Sequence, residues 1–134
     1  QDCSIVSDLA LCPRVSLCTE AFRSEIIYYE FDQGRSAETR NAISRVLDVG
    51  QYCNVDNIRV VGHTDTSGSA AYNLALSKRR AKDASDELVR QGMNSAIISS
   101  EGMGETQPRI QTGDGVREQE NRRTEVLLQL SEVR

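Results

Sequence analysis

At 134 residues, 38% of them apolar, 27% charged and none tryptophan, the chain is sized for one soluble domain with a buried core and is too short for two. Its apolar runs fall far short of the roughly 20 residues a membrane-spanning helix needs, and no charged-then-apolar leader precedes them, so any secretion signal or anchor is expected outside these residues. The formal charge of −4 argues against a nucleic-acid partner, which draws a basic excess, although Arg109, Arg117, Arg122 and Arg123 fall near one another.

Residues 1–25 have mixed polarity, Pro13 and no sustained amphipathic period, and they read as an irregular, cysteine-bearing extension packed on a domain at 26–134. The run IIYYEF from Ile26 predicts a strand ending near Phe31, and the DQGRS that follows supplies turn chemistry. Ser36 is placed to cap a helix in which Ala42, Ile43, Val46, Leu47 and Val49 recur at helical spacing up to Gly50. A second strand is expected in NIRVVGH, with Ile58, Val60 and Val61 as its β-branched bulk. The polar turn TDTSGS then opens a second helix with Leu74, Ala81, Ala84 and Leu88 on its buried face and Gly92 as a left-handed cap. A third strand, AIISSEG, leads into a glycine-rich loop, a short helix near Glu118 and Asn121, and a last strand, RTEVLLQL. Such alternation predicts an α/β fold: a sheet with helices on one face and parallel pairing wherever a helix makes the crossover.

Three of the four cysteines, Cys3, Cys12 and Cys18, lie in the first eighteen residues and the fourth is Cys53. No CxxC pair exists and His63 is the only histidine, so neither a metal site nor any cofactor is expected. An even count at loop-like spacing suits disulfides in an oxidising compartment such as a bacterial periplasm; four reduced thiols are the competing reading. The preferred scheme joins one of the N-terminal three to Cys53 and pairs the other two.

The stretch GHTDTSGSAAYNLALSKRRA at 62–81 joins a strand end to the face of a helix, where α/β folds place ligands. Asp65 lies in the turn, while Asn73, Ser77 and Arg80 recur at steps of four and three and share one polar helical face. Arg79 points about a hundred degrees away from Arg80, so the two arginines serve different purposes. Without more, Asp65 is an Asx-turn residue and Arg80 a solvated arginine or an ion-pair partner of Asp65.

The stretch resembles the signature of the OmpA-like family: Gly62-His63-Thr64-Asp65, then Asn73-x-x-Leu76-Ser77-x-x-Arg80-Ala81. Phe31-Asp32, GMGETQP at 102–108 and NRRTEV at 121–126 agree with it in order, and together they span 26–130. The resemblance implies an α+β sandwich of βαβαβ(α)β order, with a mixed sheet of about four strands. It also implies non-covalent binding of peptidoglycan through the diaminopimelate of its stem peptide, in the periplasm at the outer membrane or wall of a Gram-negative cell. The outer membrane would be reached only through sequence outside this chain. In that family the turn aspartate meets the diaminopimelate ammonium and the helix arginine its carboxylate, roles that map onto Asp65 and Arg80. Phe31, Asp32, Thr64, Asn73 and Ser77 would surround the ligand, and Arg122 or Arg123 would touch it or fix the Asp65 loop. The chemistry agrees, because a guanidinium fork matches a carboxylate where a lysine offers a point charge.

Two other classes compete. An interaction domain that keeps the fold would bind a protein, through the cysteine-bearing extension. A hydrolase would draw on His63, Asp65 and Ser77, or on Cys53 with His63. No GxSxG elbow is present, and residues 63 and 65 alternate across a strand end, so no enzyme is expected.

Overall fold

The computed structural model describes Cys18 and residues 23–132. Four strands and two helices follow in order: β1 (Arg23–Tyr28), α1 (Thr39–Val49), β2 (Cys53–Gly62), α2 (Ala70–Arg90), β3 (Ile98–Gly102) and β4 (Arg123–Glu132). Single 3-10 turns at Ser95–Ile97 and Gln119–Asn121 precede β3 and β4. The sheet runs β1-β4-β2-β3. β4 is antiparallel to both neighbours, and β2 and β3, joined by α2, are parallel, as a helical crossover requires. The predicted α/β alternation and mixed four-stranded sheet are therefore present.

Alternation along the strands sends Ile27, Ile58, Val60, Val126 and Leu128 to one face, where they pack with Ala42, Ile43 and Val46 of α1 and Ala81, Ala84 and Leu88 of α2. The other face is lined by polar pairs, among them Asn57 with Gln129 at 2.7 Å and the Arg59–Glu101 ion pair. At Gly92 the backbone turns left-handed, φ 109°, and the amides of Gly92 and Met93 close on the carbonyls of Val89 and Leu88, the cap expected there.

Several local expectations are corrected. β1 stops at Tyr28, because the Ser36 hydroxyl takes the Tyr28 carbonyl at 2.6 Å and Phe31 falls in a turn. The Ser36 hydroxyl also accepts the Glu38 amide at 3.1 Å, but it stands too early to cap the helix, and Glu38, with no side-chain cap bond, precedes the first residue of α1. β2 begins at Cys53, four residues before Asn57, because its first part pairs with the end of β4 and absorbs a bulge between Val55 and Asn57. Leu74 is 42% exposed, since α2 at that point has run past the end of β2 and lies over Gly104.

Cys18 and Cys53 form a disulfide, Cα–Cα 5.5 Å, across 35 residues of sequence, so one N-terminal cysteine does join Cys53. The expected pairing of Cys3 with Cys12 lies outside the described residues.

The placement of α2 depends on two glycines facing each other across β2 and β3, Gly62 and Gly102. A Cβ on Gly62 would stand 1.9 Å from the Ser77 carbonyl oxygen, and one on Gly102 would stand 2.6 Å from the Lys78 amide nitrogen. Both obstacles are backbone, so the helix would have to lift. Gly62→Ala is expected to lower the unfolding free energy in urea by about 1–3 kcal/mol, whereas Gly113→Ala, whose added methyl meets nothing within 4 Å, should cost far less. Reducing the disulfide should remove about 2–4 kcal/mol by the same measurement, from the loop entropy of its 35-residue span.

Candidate functional site

Beyond the C-terminal end of β2, the start of α2, the turn after β1 and the start of β4 enclose a cleft of about 70 Å³. Asp65, Asn73, Arg80 and Arg122 line it with Phe31 and Asp32, so six of the nine residues singled out from the sequence converge. Leu76, Ser67, Gly68 and Tyr72 also line it. Leu76 was legible in principle, lying one turn before Arg80.

The Asp65 carboxylate is 3% exposed and its lone pairs are fully engaged. Oδ1 accepts from the Ser67 amide at 3.1 Å and from the Ser67 hydroxyl. Oδ2 accepts from the Glu118 amide at 3.2 Å and from Arg122 Nη1 at 3.1 Å. Burial by itself pushes this carboxyl up, but the hydrogen bonds from Ser67, Arg122 and the Glu118 amide outweigh it and hold it below its ordinary value. The Asx turn with Ser67 and the ion pair are thus both real. The ion-pair partner, however, is Arg122 and not Arg80. Arg122 is oriented in turn by the Tyr29 carbonyl at 3.0 Å and by the Gln119 side chain.

Arg80 is 0% exposed and is held by carbonyls. Nε donates to Gln33 at 2.8 Å, Nη1 to His63 at 2.9 Å and Nη2 to Glu30 at 3.4 Å, while the guanidinium lies 5.1 Å from the Tyr29 ring centroid. These bonds use three of five N–H groups and leave one on each terminal nitrogen. Burial lowers its pKa to about 10, with Tyr29 and Asp65 opposing the shift, so it is a cation at neutral pH. Arg79 on the neighbouring face is exposed, as the helical period requires.

Around these charges, Asn73 Nδ2 donates to the Asp65 carbonyl at 3.3 Å and the Glu105 carboxylate at 3.4 Å. Asp32 has φ 60°, the single positive φ of a non-glycine among the described residues, and it accepts a hydrogen bond from the Tyr72 hydroxyl. Phe31, 39% exposed, carries the Arg117 guanidinium 3.6 Å above its ring.

Ser77, Thr64 and Arg123 do not line the cleft. Ser77 is buried where α2 meets the sheet, its hydroxyl bonded to the Leu74 carbonyl and the Gly104 amide. Thr64 turns its hydroxyl to the Asp65 carbonyl at 2.9 Å. Arg123 is on the opposite face of the sheet from the cleft, reaching the Gln107 carbonyl at 3.1 Å. The basic group suggested by Arg109, Arg117, Arg122 and Arg123 is likewise dispersed, since Arg122 and Arg123 are buried and Arg109 and Arg117 exposed. No triad forms: His63 Nε2 meets Glu125 at 3.1 Å, and Ser77 is occupied as described.

His63 is 1% exposed and its Nδ1 has no hydrogen-bond partner. Burial, and then Arg123, push its pKa below the ordinary value, with Glu125 opposing. A histidine whose folded pKa is depressed binds fewer protons folded than unfolded, so its stability contribution is complete above the unfolded pKa and is lost as pH falls towards the folded one. Wild-type unfolding free energy is therefore expected to decline below about pH 6.5, and His63→Gln should flatten that decline in urea titrations across pH 5–7.

Comparison with known proteins places this geometry. The model of the OmpA family matches residues 28–122. An outer membrane protein of Gluconacetobacter diazotrophicus is 31% identical over 79% of this chain and 30% of its own length. Outer-membrane lipoprotein YfiB of Pseudomonas aeruginosa is 30% identical over 68% of this chain and 54% of its own length. The chain thus spans about half or less of these relatives. Among solved structures, the OmpA-like domain of FopA1 from Francisella tularensis superimposes with a TM-score of 0.70 at 20% identity, covering 84% of this chain and 77% of that one. The peptidoglycan-associated lipoprotein of Burkholderia pseudomallei gives 0.63 at 24% identity, covering 78% and 90%. The type VI secretion cell wall anchor of Pseudomonas aeruginosa gives 0.68 at 20%, covering 83% of each. With its motifs in order and most of its length matched, the chain belongs to the OmpA family.

Proposed function

We propose that this domain binds peptidoglycan non-covalently through the diaminopimelate of the stem peptide and so anchors an envelope component to the wall in the periplasm of a Gram-negative cell. The observation that carries the reading is the pairing, in one small cleft, of a buried carboxylate and a buried guanidinium that are not bonded to each other. Diaminopimelate ends in an ammonium and a carboxylate on one carbon, and each has its complement here. The two free N–H groups of Arg80 form the fork for the carboxylate. Asp65, held ionised by its neighbours, takes the ammonium as a charge shared with Arg122. Two structural relatives, a peptidoglycan-associated lipoprotein and a cell wall anchor, are named in agreement with this reading. No proton transfer is needed, and the arrangement has the features of a recognition site.

The test is calorimetric titration with muropeptides that differ only at the third stem residue, diaminopimelate or lysine. Binding of the diaminopimelate form is expected, with the lysine form, which lacks the distal carboxylate, weaker by at least tenfold. Asp65→Asn should remove about 2–5 kcal/mol of binding free energy while the variant remains folded by circular dichroism. Full binding by Asp65→Asn, or equal affinity for the two muropeptides, would sink the proposal.

A further inference from the structure

The cleft that holds Asp65 and Arg80 offers about 70 Å³, room for the tip of a side chain and not for the peptide that carries it. Alongside runs a wider groove of about 500 Å³, between the turn containing Gly34 and Arg35 and the outward face of α2. Their linings approach each other at Tyr72 and Arg79. Asp32 and Tyr72, hydrogen-bonded to each other, line the cleft. Arg79, whose guanidinium lies 5.9 Å from the Tyr72 ring centroid, lines the groove. Gly34 keeps the turn close, for a Cβ there would stand 3.2 Å from that of Arg79.

Charges in the groove are unevenly paired. At its far end Lys82 bonds Asp86 at 2.7 Å, and Arg90 pairs with Glu87. Asp83 accepts the hydroxyls of Tyr29 at 3.0 Å and Thr39 at 2.6 Å. Nearest the cleft, Arg35 and Arg79 form no ion pair among the described residues. Two guanidinium groups without a carboxylate partner among the described residues, on an open groove, are suited to a carboxylate.

We infer that this groove is a second subsite, in which Arg35 and Arg79 hold a carboxylate of the same peptide whose zwitterionic tip sits in the cleft. The inference rests on the reading of the cleft given above and extends it from one amino acid to an acidic peptide. The rival on the opposite rim is Arg117. Its guanidinium also forms no ion pair among the described residues, but it is stacked on Phe31 and the groove does not extend to it.

Calorimetry with three probes separates the possibilities: free diaminopimelate, the tripeptide L-alanyl-γ-D-glutamyl-diaminopimelate, and that tripeptide with its glutamyl carboxylate amidated. The free acid is expected to bind, the tripeptide about tenfold more tightly, the gain of one partly exposed charge-assisted contact, and the amidated tripeptide like the free acid. Arg35→Gln combined with Arg79→Gln should erase the tripeptide's advantage and leave the affinity for diaminopimelate unchanged. The inference fails if the double variant keeps the advantage, if Arg117→Gln removes it instead, or if the tripeptide has none. In each of those cases Asp65-dependent binding of diaminopimelate would leave the cleft reading standing, whereas absence of binding by every probe would overturn both.

Discussion

The close seating of α2 on the sheet is the constraint from which the site follows. With hydrogen atoms in place of side chains at Gly62 and Gly102, the helix backbone at Ser77 and Lys78 rests almost on the strands. Arg80, one turn further on, then lies at a depth where its guanidinium reaches the His63 carbonyl just past β2 and two carbonyls of the turn after β1. Asn73, one turn earlier, reaches the Asp65 carbonyl. The same seating lets the Ser77 hydroxyl take the Gly104 amide at 2.8 Å, which ties the segment after β3 to the helix. A bulkier residue at either glycine would move every one of these groups together, because close-packed elements shift as bodies.

The two charges central to the cleft are compensated differently. Asp65 has a full counter-charge in Arg122 and four hydrogen bonds. Arg80 has carbonyl dipoles and an aromatic face, but no carboxylate within ion-pair distance among the described residues. The buried set Asp65, Arg80 and Arg122 therefore carries one net positive charge, and burial of such a charge is costly unless it is paired. For the zwitterionic ligand proposed above, a carboxylate would answer that imbalance directly, while an ammonium would share Asp65 with Arg122. On that proposal the carboxylate end would be the more strongly demanded of the two.

Much of this was legible in the sequence. Runs of β-branched and aromatic residues bounded by turn residues located the strands, helical spacing located α1 and α2, and the phase difference between residues 79 and 80 separated the exposed arginine from the buried one. What local pattern could not supply was the tertiary partner. Asp65 pairs with a residue 57 positions away, and nothing in the spacing of 62–81 distinguishes Arg122 from Arg80 as that partner. Leu74 carries the right residue type and phase for burial, yet the sheet ends before it, and where a neighbouring element stops is not written in a helix's own sequence. Ser36 shows the same limit at shorter range, because its hydroxyl had two local uses and the carbonyl of Tyr28 was one of them. Ser77 satisfies the period of the ligand face, but the helix is so close to the strands there that its side chain becomes part of the packing.

The disulfide and the cleft lie at opposite ends of one strand. Cys53 opens β2 and Gly62 closes it, a span of about 30 Å at the usual rise per residue. β2 is an interior strand, bonded to β4 along its length and to β3 over its second half. A pull transmitted through Cys18, against a wall fragment gripped beyond Gly62, would run along the strand axis and across the direction of its hydrogen bonds. Loaded in that way, the rungs of the ladder share the strain in parallel and are not opened one after another. Geometry that serves packing in a resting domain thus also suits a joint in tension.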